Sequence, residues 1–463
     1  MQAGPRCFFF YFLPILFVAT AAAGFAHAAP VLMISIDGLK PEYVTQANKR
    51  GLEVPFLHSM VNNGAYADGV IGVWPTLTYP SHTTLVTGVS PAEHGIYSNL
   101  QFDPDLHDGG AWNWYADEIR APTLWHAAHN IGLHTASIGW PVTVGAHDVD
   151  WLIPEFWRTE GPASGSNPAD RLLIAALSHP RKLLSELEPA AGPYMMGNDA
   201  TVAGDETKTR YALEILRKYK PALMTLHLSA LDESEHTHGV FSAEAKQTLE
   251  SLDGMVARLA KQELANDPSA VVIVVSDHGF MNLTHVVNLQ VPFFKAGLMQ
   301  YKTDPQTKAQ TIVWKAQPQM AGGMAAVMLK APNDQQTEKQ VRAMLAHLAA
   351  DSESGIAQVF DRKGLAQLGA FPDASFLVVF KAGYYAGFGT SGALVGRVRN
   401  IFGSHGFSPQ YPEMHASFFA VGASVAHHRD LGVIDMRQIA PTAARILGAP
   451  MPTAKAQPLH LQP

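Results

Sequence analysis

The residues with the clearest chemical potential are carboxylates and histidines that follow apolar runs. In the segment Val272–Phe280, VIVVSDHGF, a run of β-branched residues ends in adjacent Asp277 and His278. A short apolar run of this kind predicts a buried strand. Ligands of open α/β sheets bind beyond the carboxyl ends of the strands. Asp277 and His278 therefore stand where metal ligands are expected.

A second group of candidates comes from two separate segments. Asp232 and His236 are four residues apart in LDESEHTHG, which places them one turn apart if the segment is helical. His405, in FGSHGF, completes a set of two histidines and one carboxylate. Such a set is typical of a catalytic zinc that keeps an open coordination position. His238 is an alternative to His236 as the ligand.

The remaining candidates form another set around a threonine. Asp37 ends the apolar run PVLMISID and joins Asp277 and His278, and the hydroxyl of Thr78 could complete their site. Metal coordination lowers the pKa of a hydroxyl and generates an alkoxide nucleophile. Two metals about 4 Å apart can hold opposite oxygens in an in-line displacement. The helix expected to begin near Ser81 offers N–H groups to a phosphate. The predicted two-metal site comprises Asp37, Thr78, Asp232, His236, Asp277, His278 and His405.

The elements that must position these residues alternate between strand and helix. The predicted strands are Pro30–Asp37, Gly69–Trp74, His134–Ile138, Ala222–Leu228 and Val271–Ser276. The predicted helices are Asn48–Gly64, Ser81–Val86, Trp125–Asn130, Thr201–Tyr219 and Ala243–Glu263. This alternation predicts an α/β fold with a mostly parallel central sheet and helices on both faces.

Three segments break the alternation of strands and helices, and they define the expected domain organisation. Leu100–Arg120 and Trp151–Asn198 are rich in glycine, proline and aromatic residues and are predicted as long loops or lids. Residues 288–398 are interpreted as a small inserted α+β subdomain, with strands Met324–Leu329, Gln358–Asp361 and Phe376–Phe380 around a helix at Gln336–Asp351. The catalytic domain is then expected to comprise residues 29–287 and 399–450, followed by a tail at 451–463.

The N-terminus has the pattern of an export signal. Arg6 precedes the apolar run FFFYFLPILFV, and Ala26-His27-Ala28 matches a small-x-small cleavage site. We expect residues 1–28 to be removed and the protein to be periplasmic or secreted, with no stable membrane span afterwards. An uncleaved membrane anchor is the alternative, which Pro14 disfavours.

Composition limits the chemistry further. The 463 residues are 47% hydrophobic with a formal net charge of -7, which does not indicate a nucleic-acid-binding surface. The only cysteine, Cys7, lies in the expected signal segment, so the mature chain would have none. A metal site must then use histidines and carboxylates, which suits zinc and related ions.

Taken in order, these motifs resemble the nucleotide pyrophosphatase/phosphodiesterase family of the alkaline phosphatase superfamily. The segments that carry the resemblance run from Val31 to Gly422 and are VLMISIDGL, WPTLTYPSHTTLVTGVSPAEHGI, LDESEHTHG, VIVVSDHGF and GSHGFSPQYPEMHASFFAVG. The resemblance implies an alkaline-phosphatase-like fold and two Zn²⁺ ions, other divalent ions being possible.

The resemblance also implies roles for individual residues. Thr78 would form a covalent phospho-threonine. Asp37, Asp277 and His278 would bind the zinc that activates it, and Asp232, His236 and His405 would bind the zinc that holds the leaving oxygen. Tyr79 occupies the position of an aromatic residue that, in this family, often stacks on a nucleobase. Packing in the protein core is the alternative role for Tyr79. Ser81 replaces an asparagine that donates to a phosphoryl oxygen, so Ser81 is expected to donate through its hydroxyl.

Other members of the superfamily supply the alternatives. The C/S-x-P-x-R pattern of sulfatases is missing, and phosphoglycerate mutases use serine and manganese. Alkaline phosphatases place Lys-x-Arg near the phosphate, whereas Gly139–Glu155 has no Lys or Arg and Arg158 stands alone. A monoester phosphatase, a phosphonoacetate hydrolase and an inactive metal-binding protein are therefore the alternatives. The last is disfavoured because all seven positions are filled.

The sequence thus predicts an exported phosphodiesterase or nucleotide pyrophosphatase that acts on a small-molecule nucleotide or phosphodiester. It gives no indication of an oligomeric state.

Overall fold

The computed structural model describes residues 28–103, 111–158, 168–194, 200–308 and 310–462, together with Met1 and Gly4. The expected signal segment, residues 1–28, lies almost entirely outside the described residues, so its cleavage stays a prediction. None of the described helices is both long and apolar enough to cross a bilayer.

The strands within the described residues are numbered in chain order. They are β1 (Val31–Ile36), β2 (Ala65–Tyr66), β3 (Gly69–Ile71), β4 (Thr135–Ile138), β5 (Trp151–Ile153), β6 (Leu223–Leu228), β7 (Val271–Val275), β8 (Met281–Asn282), β9 (His285–Val287), β10 (Met299–Thr303), β11 (Gln310–Trp314), β12 (Ala316–Met320), β13 (Met324–Leu329), β14 (Ile356–Asp361), β15 (Phe376–Phe380), β16 (Tyr384–Ala386), β17 (Val395–Arg397), β18 (Gly403–Ser404), β19 (Phe418–Gly422), β20 (Arg429–Asp430) and β21 (Val433–Asp435).

The α-helices of the same residues are also numbered in order. They are α1 (Pro41–Thr45), α2 (Ala47–Arg50), α3 (Pro55–Asn63), α4 (Thr78–Thr87), α5 (Pro91–His94), α6 (Leu124–His129), α7 (Pro168–Leu177), α8 (Leu183–Ala191), α9 (Val202–Tyr219), α10 (Ala230–His238), α11 (Ala243–Asn266), α12 (Gln290–Lys295), α13 (Gln335–Ala350), α14 (Arg362–Leu368) and α15 (Ile439–Leu447).

The central sheet has the strand order β20-β2-β19-β7-β1-β6-β4-β5. Strands β7, β1, β6, β4 and β5 run parallel, and β19 pairs antiparallel with β7. Within this sheet Ile36 of β1 lies opposite Leu228 of β6, and Ser35 lies opposite Val275 of β7. The carboxyl ends of these three strands therefore lie side by side, and the predicted mostly parallel α/β sheet is confirmed.

Alternate side chains of β1 enter two separate cores, as the pleat of a strand requires. Leu32 and Ile34 pack in the core beneath α3, α9 and α11, while Val31 and Met33 pack in the core beneath α4, α6 and α15. All four side chains are at most 1% exposed. Helices thus cover both faces, which explains why β1, β6 and β7 are buried at every position.

Two helices differ from the sequence-based prediction. The helix predicted over residues 48–64 is divided, because Gly51 adopts a left-handed conformation with φ of +62° and ends α2. The helix then restarts as α3 at Pro55, whose fixed φ suits a first helical turn. Helix α4 begins at Thr78 rather than near Ser81, which places the predicted nucleophile in its first turn.

The prediction of a long loop over Trp151–Asn198 was wrong. The described part of this segment contains β5, α7 and α8. Helix α8 includes Pro189, and a cis bond precedes Pro180. Pro189 therefore lies inside a helix and Pro180 lies between regular elements. Leu183, Leu184 and Leu187 are buried in the core beneath α9, which is why α8 forms.

The region at 288–398 contains a separate sheet. Strands β12, β13, β15 and β14 pair antiparallel in that order, and α13 packs against β14. Met324 and Leu377 of this sheet share a small core with Trp74 and Leu77, which precede α4. The inserted region therefore supports the loop that leads into Thr78, whereas the exact domain limits stay an interpretation.

The buried carboxyl of Glu263 on α11 generates a testable prediction. Glu263 is 3% exposed, and burial raises its pKa from 4.5 to about 7. Because the folded state holds this proton more tightly, its stabilising effect is present below pH 4.5 and is lost as the pH rises through about 7. We expect Glu263→Gln to increase the free energy of unfolding by about 1–3 kcal/mol at pH 8.

Urea unfolding of the wild type and of Glu263→Gln at pH 4.5 and at pH 8 measures this effect. The difference between the two proteins is expected to shrink towards pH 4.5. A difference that is equal at both pH values would show that the carboxyl does not titrate with folding.

Candidate active site

The first cluster of the site lies at the carboxyl ends of β1 and β7. Asp37 follows β1 directly, and Ser276, Asp277 and His278 follow β7. The ligand atoms of Asp37, Asp277 and His278 all lie within 4.8 Å of one another, and all three residues are buried. Gly38 supports the cluster, since its backbone N–H donates to Asp277 Oδ1 at 3.1 Å. Its φ of +74° favours glycine at this sharp turn.

The second cluster comes from α10 and from the loop after β18. Asp232, His278 and His405 also have ligand atoms within 4.8 Å of one another, so His278 belongs to both groups. His236, one turn after Asp232 on α10, has its Nε2 at 3.5 Å from Asp232 Oδ2. His238 instead lines a different cavity, beside Glu244. Of the two candidate histidines, the structure therefore brings His236 to the cluster.

Backbone carbonyls orient two of the three histidines of this cluster. His236 Nδ1 lies 3.1 Å from the carbonyl oxygen of Gly403, and His405 Nδ1 lies 3.0 Å from that of Thr76. A carbonyl oxygen only accepts, so Nδ1 of each ring must carry the hydrogen. Each Nε2 is then left with a lone pair, which is the form in which histidine binds a metal.

Thr78 is set apart by its exposure. It is the one residue between Val73 and Pro91 that is not buried. One turn further along α4, His82 Nδ1 lies 2.8 Å from the carbonyl oxygen of Thr78 and 3.6 Å from Asp277 Oδ2. Two residues before Thr78, Thr76 contacts His405, as described above. Thr78, in the first turn of α4, therefore lies between Thr76, which contacts the second cluster, and His82, which contacts the first.

The buried polar atoms of the site fit divalent cations. Among the described residues, these atoms have no hydrogen-bond partner: Asp37 Oδ1, Asp232 Oδ1, Asp277 Oδ2, His278 Nδ1 and His278 Nε2. Buried polar groups are otherwise almost always paired. Oxygen and imidazole ligands in two adjacent groups form a donor set suited to zinc.

The shifted pKa values of the clustered residues also fit a site that holds cations. Burial, followed by the charge of Asp232, raises the pKa of Asp37 well above its usual range. Burial and the charge of Asp37 raise the pKa of Asp277. Burial lowers the pKa of His405 to about 4. Cations between these groups would stabilise the ionised carboxylates and the neutral imidazoles together.

A chain of buried side chains extends from Asp37 to the residue after the nucleophile. Asp37 Oδ2 lies 2.9 Å from His227 Nε2, and His227 Nδ1 lies 3.0 Å from both Glu155 Oε2 and the carbonyl oxygen of Gly139. The hydroxyl of Tyr79 donates to Glu155 Oε1 at 2.7 Å. We call Asp37, His227, Glu155 and Tyr79 the carboxylate–histidine chain. It engages Oδ2 of Asp37, whereas Oδ1 has no hydrogen-bond partner and lies 3.4 Å from His278 Nε2.

The aromatic ring of Tyr79 is only 1% exposed. Its ring centroid lies 5.2 Å from that of Trp112 and 6.1 Å from that of Trp114. In this conformation the ring of Tyr79 packs in the core, which is the alternative to stacking on a nucleobase. Trp112 and Trp157 of the same aromatic cluster are only partly buried, so they form the outer surface of the cluster.

Two polar groups flank Thr78. The hydroxyl of Ser81 is fully buried and has no hydrogen-bond partner among the described residues. The carboxamide oxygen of Asn99 accepts from the backbone N–H of Tyr79 at 3.0 Å, which holds the Asn99 side chain beside the first turn of α4.

His227, Glu155 and Asn99 were missed by the sequence analysis. A histidine inside the apolar run LMTLHL of β6 was an available signal, because an imidazole in a buried strand needs polar partners. Glu155 and Asn99 lie in irregular segments, and no local pattern distinguished them from other loop residues.

The fold and site together define a class. A mostly parallel sheet with Asp and His clusters at its strand ends, facing a threonine that begins a helix, has the architecture of the alkaline-phosphatase-like hydrolases. Murine ectonucleotide pyrophosphatase/phosphodiesterase 5 shares the fold with a TM-score of 0.63 at 18% sequence identity, covering 91% of this chain and 96% of that one. An inactive Thr-to-Ala variant of it in complex with AMP aligns with a TM-score of 0.61.

The sequence comparison identifies the family. Residues 31–408 match the type I phosphodiesterase/nucleotide pyrophosphatase family, and the chain belongs to this family. Ectonucleotide pyrophosphatase/phosphodiesterase family member 1 is 25% identical over 264 residues in Rattus norvegicus and 26% identical over 268 residues in Homo sapiens. These matches cover 55% and 56% of this chain and 24% of each relative, so the chain spans about a quarter of their length.

The carboxylate–histidine chain generates a prediction about metal binding. Replacing His227 by Asn removes the group that holds Asp37 Oδ2, so Asp37 can rotate away from the cluster. Residues that orient a metal ligand typically contribute about 10–100-fold to metal affinity. We expect His227→Asn to weaken zinc binding by that factor, measured by competition with a chromophoric chelator.

His134→Asn is the matched control, because His134 contacts Asp150 at 3.2 Å but is 71% exposed and distant in the fold from the clusters. Its zinc affinity is expected to equal that of the wild type. Equal affinity in His227→Asn as well would contradict a positioning role.

Proposed function

We propose that this protein is a metal-dependent phosphodiesterase that cleaves phosphodiester or phosphoanhydride bonds of nucleotides by way of a covalent nucleotidyl-threonine. The observation that carries the proposal is the partial exposure of Thr78 within an otherwise buried segment, beside two clusters of ligand atoms that include several without a hydrogen-bond partner. Membership of a family of metal-dependent hydrolases supports it.

Thr78 acts as the nucleophile in the first step. Its hydroxyl oxygen forms a bond to phosphorus, its proton passes to solvent, and the bond from phosphorus to the leaving oxygen breaks. Asp37, Asp277 and His278 would hold one zinc ion, and Asp232, His236 and His405 the other. Bound there, the two ions would lower the pKa of the threonine hydroxyl and neutralise charge on the phosphoryl oxygens.

Neighbouring groups stabilise the phosphoryl group during transfer. In the first turn of α4 the N–H groups of Tyr79 and Ser81 are bonded to Asn99 Oδ1 and to the carbonyl oxygen of Leu77, and Pro80 has no N–H, so side chains must supply the donors to the phosphoryl oxygens. Ser81 Oγ and Asn99 Nδ2 are the side-chain donors placed next to this turn, and Asn99 is held there by Tyr79. In the second step water replaces the threonine oxygen on phosphorus, which releases the nucleoside monophosphate and restores Thr78.

The charges around Thr78 favour a diester over a monoester. Arg158 is engaged by Asp170 at 2.6 Å, and Lys208 by Asp205 at 3.0 Å. Lys40 donates to two backbone carbonyls. These cations are therefore committed within the protein, while Glu155 adds a carboxylate close to Asp37. A diester carries one negative charge and a monoester two, so this site suits the diester.

Other members of the superfamily remain as alternative proposals. A phosphonoacetate hydrolase and a monoester phosphatase would use the same threonine and clusters, and no contact in the described residues favours either. The completeness of both clusters speaks against an inactive metal-binding protein. Export to the periplasm or beyond is part of the proposal and rests on the N-terminal pattern.

Thr78→Ala tests the nucleophile. Removing the attacking oxygen is expected to lower kcat on adenosine 5′-(p-nitrophenyl) phosphate by about 10³-fold or more, with zinc content unchanged. Acid quenching of the wild type during turnover is expected to leave a nucleotidyl group on Thr78, detected by mass spectrometry. Thr248→Ala, at a half-buried threonine of α11, is the control and should keep full activity. Full diesterase activity in Thr78→Ala would refute the assignment.

A comparison of substrates tests the reaction class and the metal requirement together. We expect kcat/KM to be at least about tenfold higher for the p-nitrophenyl ester of thymidine 5′-phosphate than for p-nitrophenyl phosphate, because the second charge of the monoester lacks a cation. Chelation should abolish both activities, and zinc should restore them. A preference for the monoester or for phosphonoacetate would support the corresponding alternative instead.

A further inference from the structure

A buried hydrogen bond between Tyr43 and Glu235 joins the elements that carry the two ligand clusters. Tyr43 lies on α1, which follows Asp37 of the first cluster closely in sequence. Glu235 lies on α10, between Asp232 and His236 of the second cluster. The hydroxyl of Tyr43 donates to Glu235 Oε1 at 2.7 Å, and both residues are 0% exposed. We call this hydrogen bond the Tyr43–Glu235 link.

A backbone contact fixes the direction of this hydrogen bond. The N–H of Phe241 donates to the hydroxyl oxygen of Tyr43 at 2.8 Å, so the single hydrogen of the phenol is directed to Glu235. The rings of Tyr43 and Phe241 also pack together, with centroids 4.4 Å apart. Tyr43 therefore holds α10 at two places, within the helix through Glu235 and just beyond its end through Phe241.

The chain that leads to Tyr43 is fixed to the strand end of the first cluster. The carbonyl oxygen of Leu39 accepts from the hydroxyls of Ser276 and Ser417, each at 2.7 Å. Lys40 Nζ donates to the carbonyl oxygen of Phe280 at 3.1 Å. Ser276 and Phe280 flank the first-cluster residues that follow β7. Any displacement of Tyr43 relative to the first cluster would have to break these bonds.

The second oxygen of Glu235 lies in an unusual environment. Glu235 Oε2 is buried and has no hydrogen-bond partner among the described residues. It lies against the turn after Asp37, since a side chain at Gly38 would bring its Cβ to 3.1 Å from this oxygen. A buried polar atom without a partner costs free energy. An apolar side chain would fill the same space without that cost, so packing alone does not account for the carboxyl.

We infer that the Tyr43–Glu235 link holds the second cluster in register with the first, so that both cations can bind. This inference rests on the two-cation site of the proposed function. Asp232 and His236 share α10 with Glu235, so a shift or rotation of this helix would carry both ligands away from His405. Tyr43 and Glu235 are positioning residues, which act through their hydrogen bond and touch neither substrate nor cation.

Zinc binding by Tyr43→Phe tests the inference. The zinc-loaded protein is titrated with a chromophoric chelator, which reports the affinity of each ion. We expect the affinity of one of the two ions to fall about tenfold or more, because α10 loses its anchor, and the affinity of the other to stay unchanged. Thermal unfolding of each variant verifies that the fold is kept.

Tyr211→Phe is the matched control for the loss of a buried hydroxyl. Tyr211 is also 0% exposed, and its hydroxyl donates to the carbonyl oxygen of Gly192 at 2.9 Å, at the end of α8. Tyr211→Phe should keep both zinc affinities, although its thermal stability falls with the lost hydrogen bond. An equal loss of zinc affinity in both tyrosine variants would attribute the effect to general destabilisation and overturn the inference.

Two substitutions of Glu235 separate the hydrogen bond from the charge. Glu235→Gln keeps an oxygen that accepts from Tyr43 and removes the negative charge, whereas Glu235→Leu removes the acceptor as well. We expect Glu235→Gln to bind zinc like the wild type and Glu235→Leu to bind it like Tyr43→Phe. If both variants lose the same affinity, the charge of Glu235 attracts the cation and the hydrogen bond has no positioning role.

A second-cluster variant identifies the affected ion. His405→Ala lacks one ligand of the second cluster, so adding Tyr43→Phe to it should leave the affinity of the remaining ion unchanged. A further loss would place the effect at the first cluster and contradict the inference. If Tyr43→Phe alone keeps both affinities, the inference is wrong and the proposed function stands. If the wild type holds fewer than two zinc ions, the two-zinc site and the inference are refuted together.

Discussion

Mutual repulsion among carboxylates at one edge of the central sheet is the constraint on which the site depends. Asp37 and Asp277 are fully enclosed, and Asp232 adds its charge to both. Such a cluster is tolerated only if positive charge is supplied, because buried charges without partners are costly. Lys40 and Lys208 bond to other groups, and bound cations would supply the missing positive charge. The surrounding hydrogen bonds then serve to hold each carboxylate at a fixed angle.

The fold could be anticipated because its strands are buried on both faces. The apolar runs of β1, β6 and β7 are visible without knowledge of their neighbours, and Asp37 and Asp277 follow two of them directly. Parallel strands bring their carboxyl ends to one edge, so convergence of the candidate ligands followed from the strand pattern alone. The spacing of Asp232 and His236 likewise agrees with helix α10.

Other features of the site and fold depend on contacts between segments that are distant in sequence, so they could not be predicted. The choice of His236 over His238 is decided by the carbonyl of Gly403, which lies 167 positions away in sequence. The burial of Tyr79 results from packing against Trp112 and Trp114, whose segment was predicted as a loop. Helices α7 and α8 could not be anticipated because the proline and glycine content of the segment obscures the apolar spacing of its helices.

The carboxylate–histidine chain connects the aromatic cluster around Tyr79 to Asp37, a candidate metal ligand. The residues that pack beside Thr78 are therefore the same residues that hold Asp37 in its orientation. A substitution in the aromatic cluster would also disturb Asp37, so the packing around the nucleophile candidate and the affinity for a bound cation would change together. Relatives adapting to metal-poor surroundings would be expected to keep the aromatic cluster along with the candidate ligands.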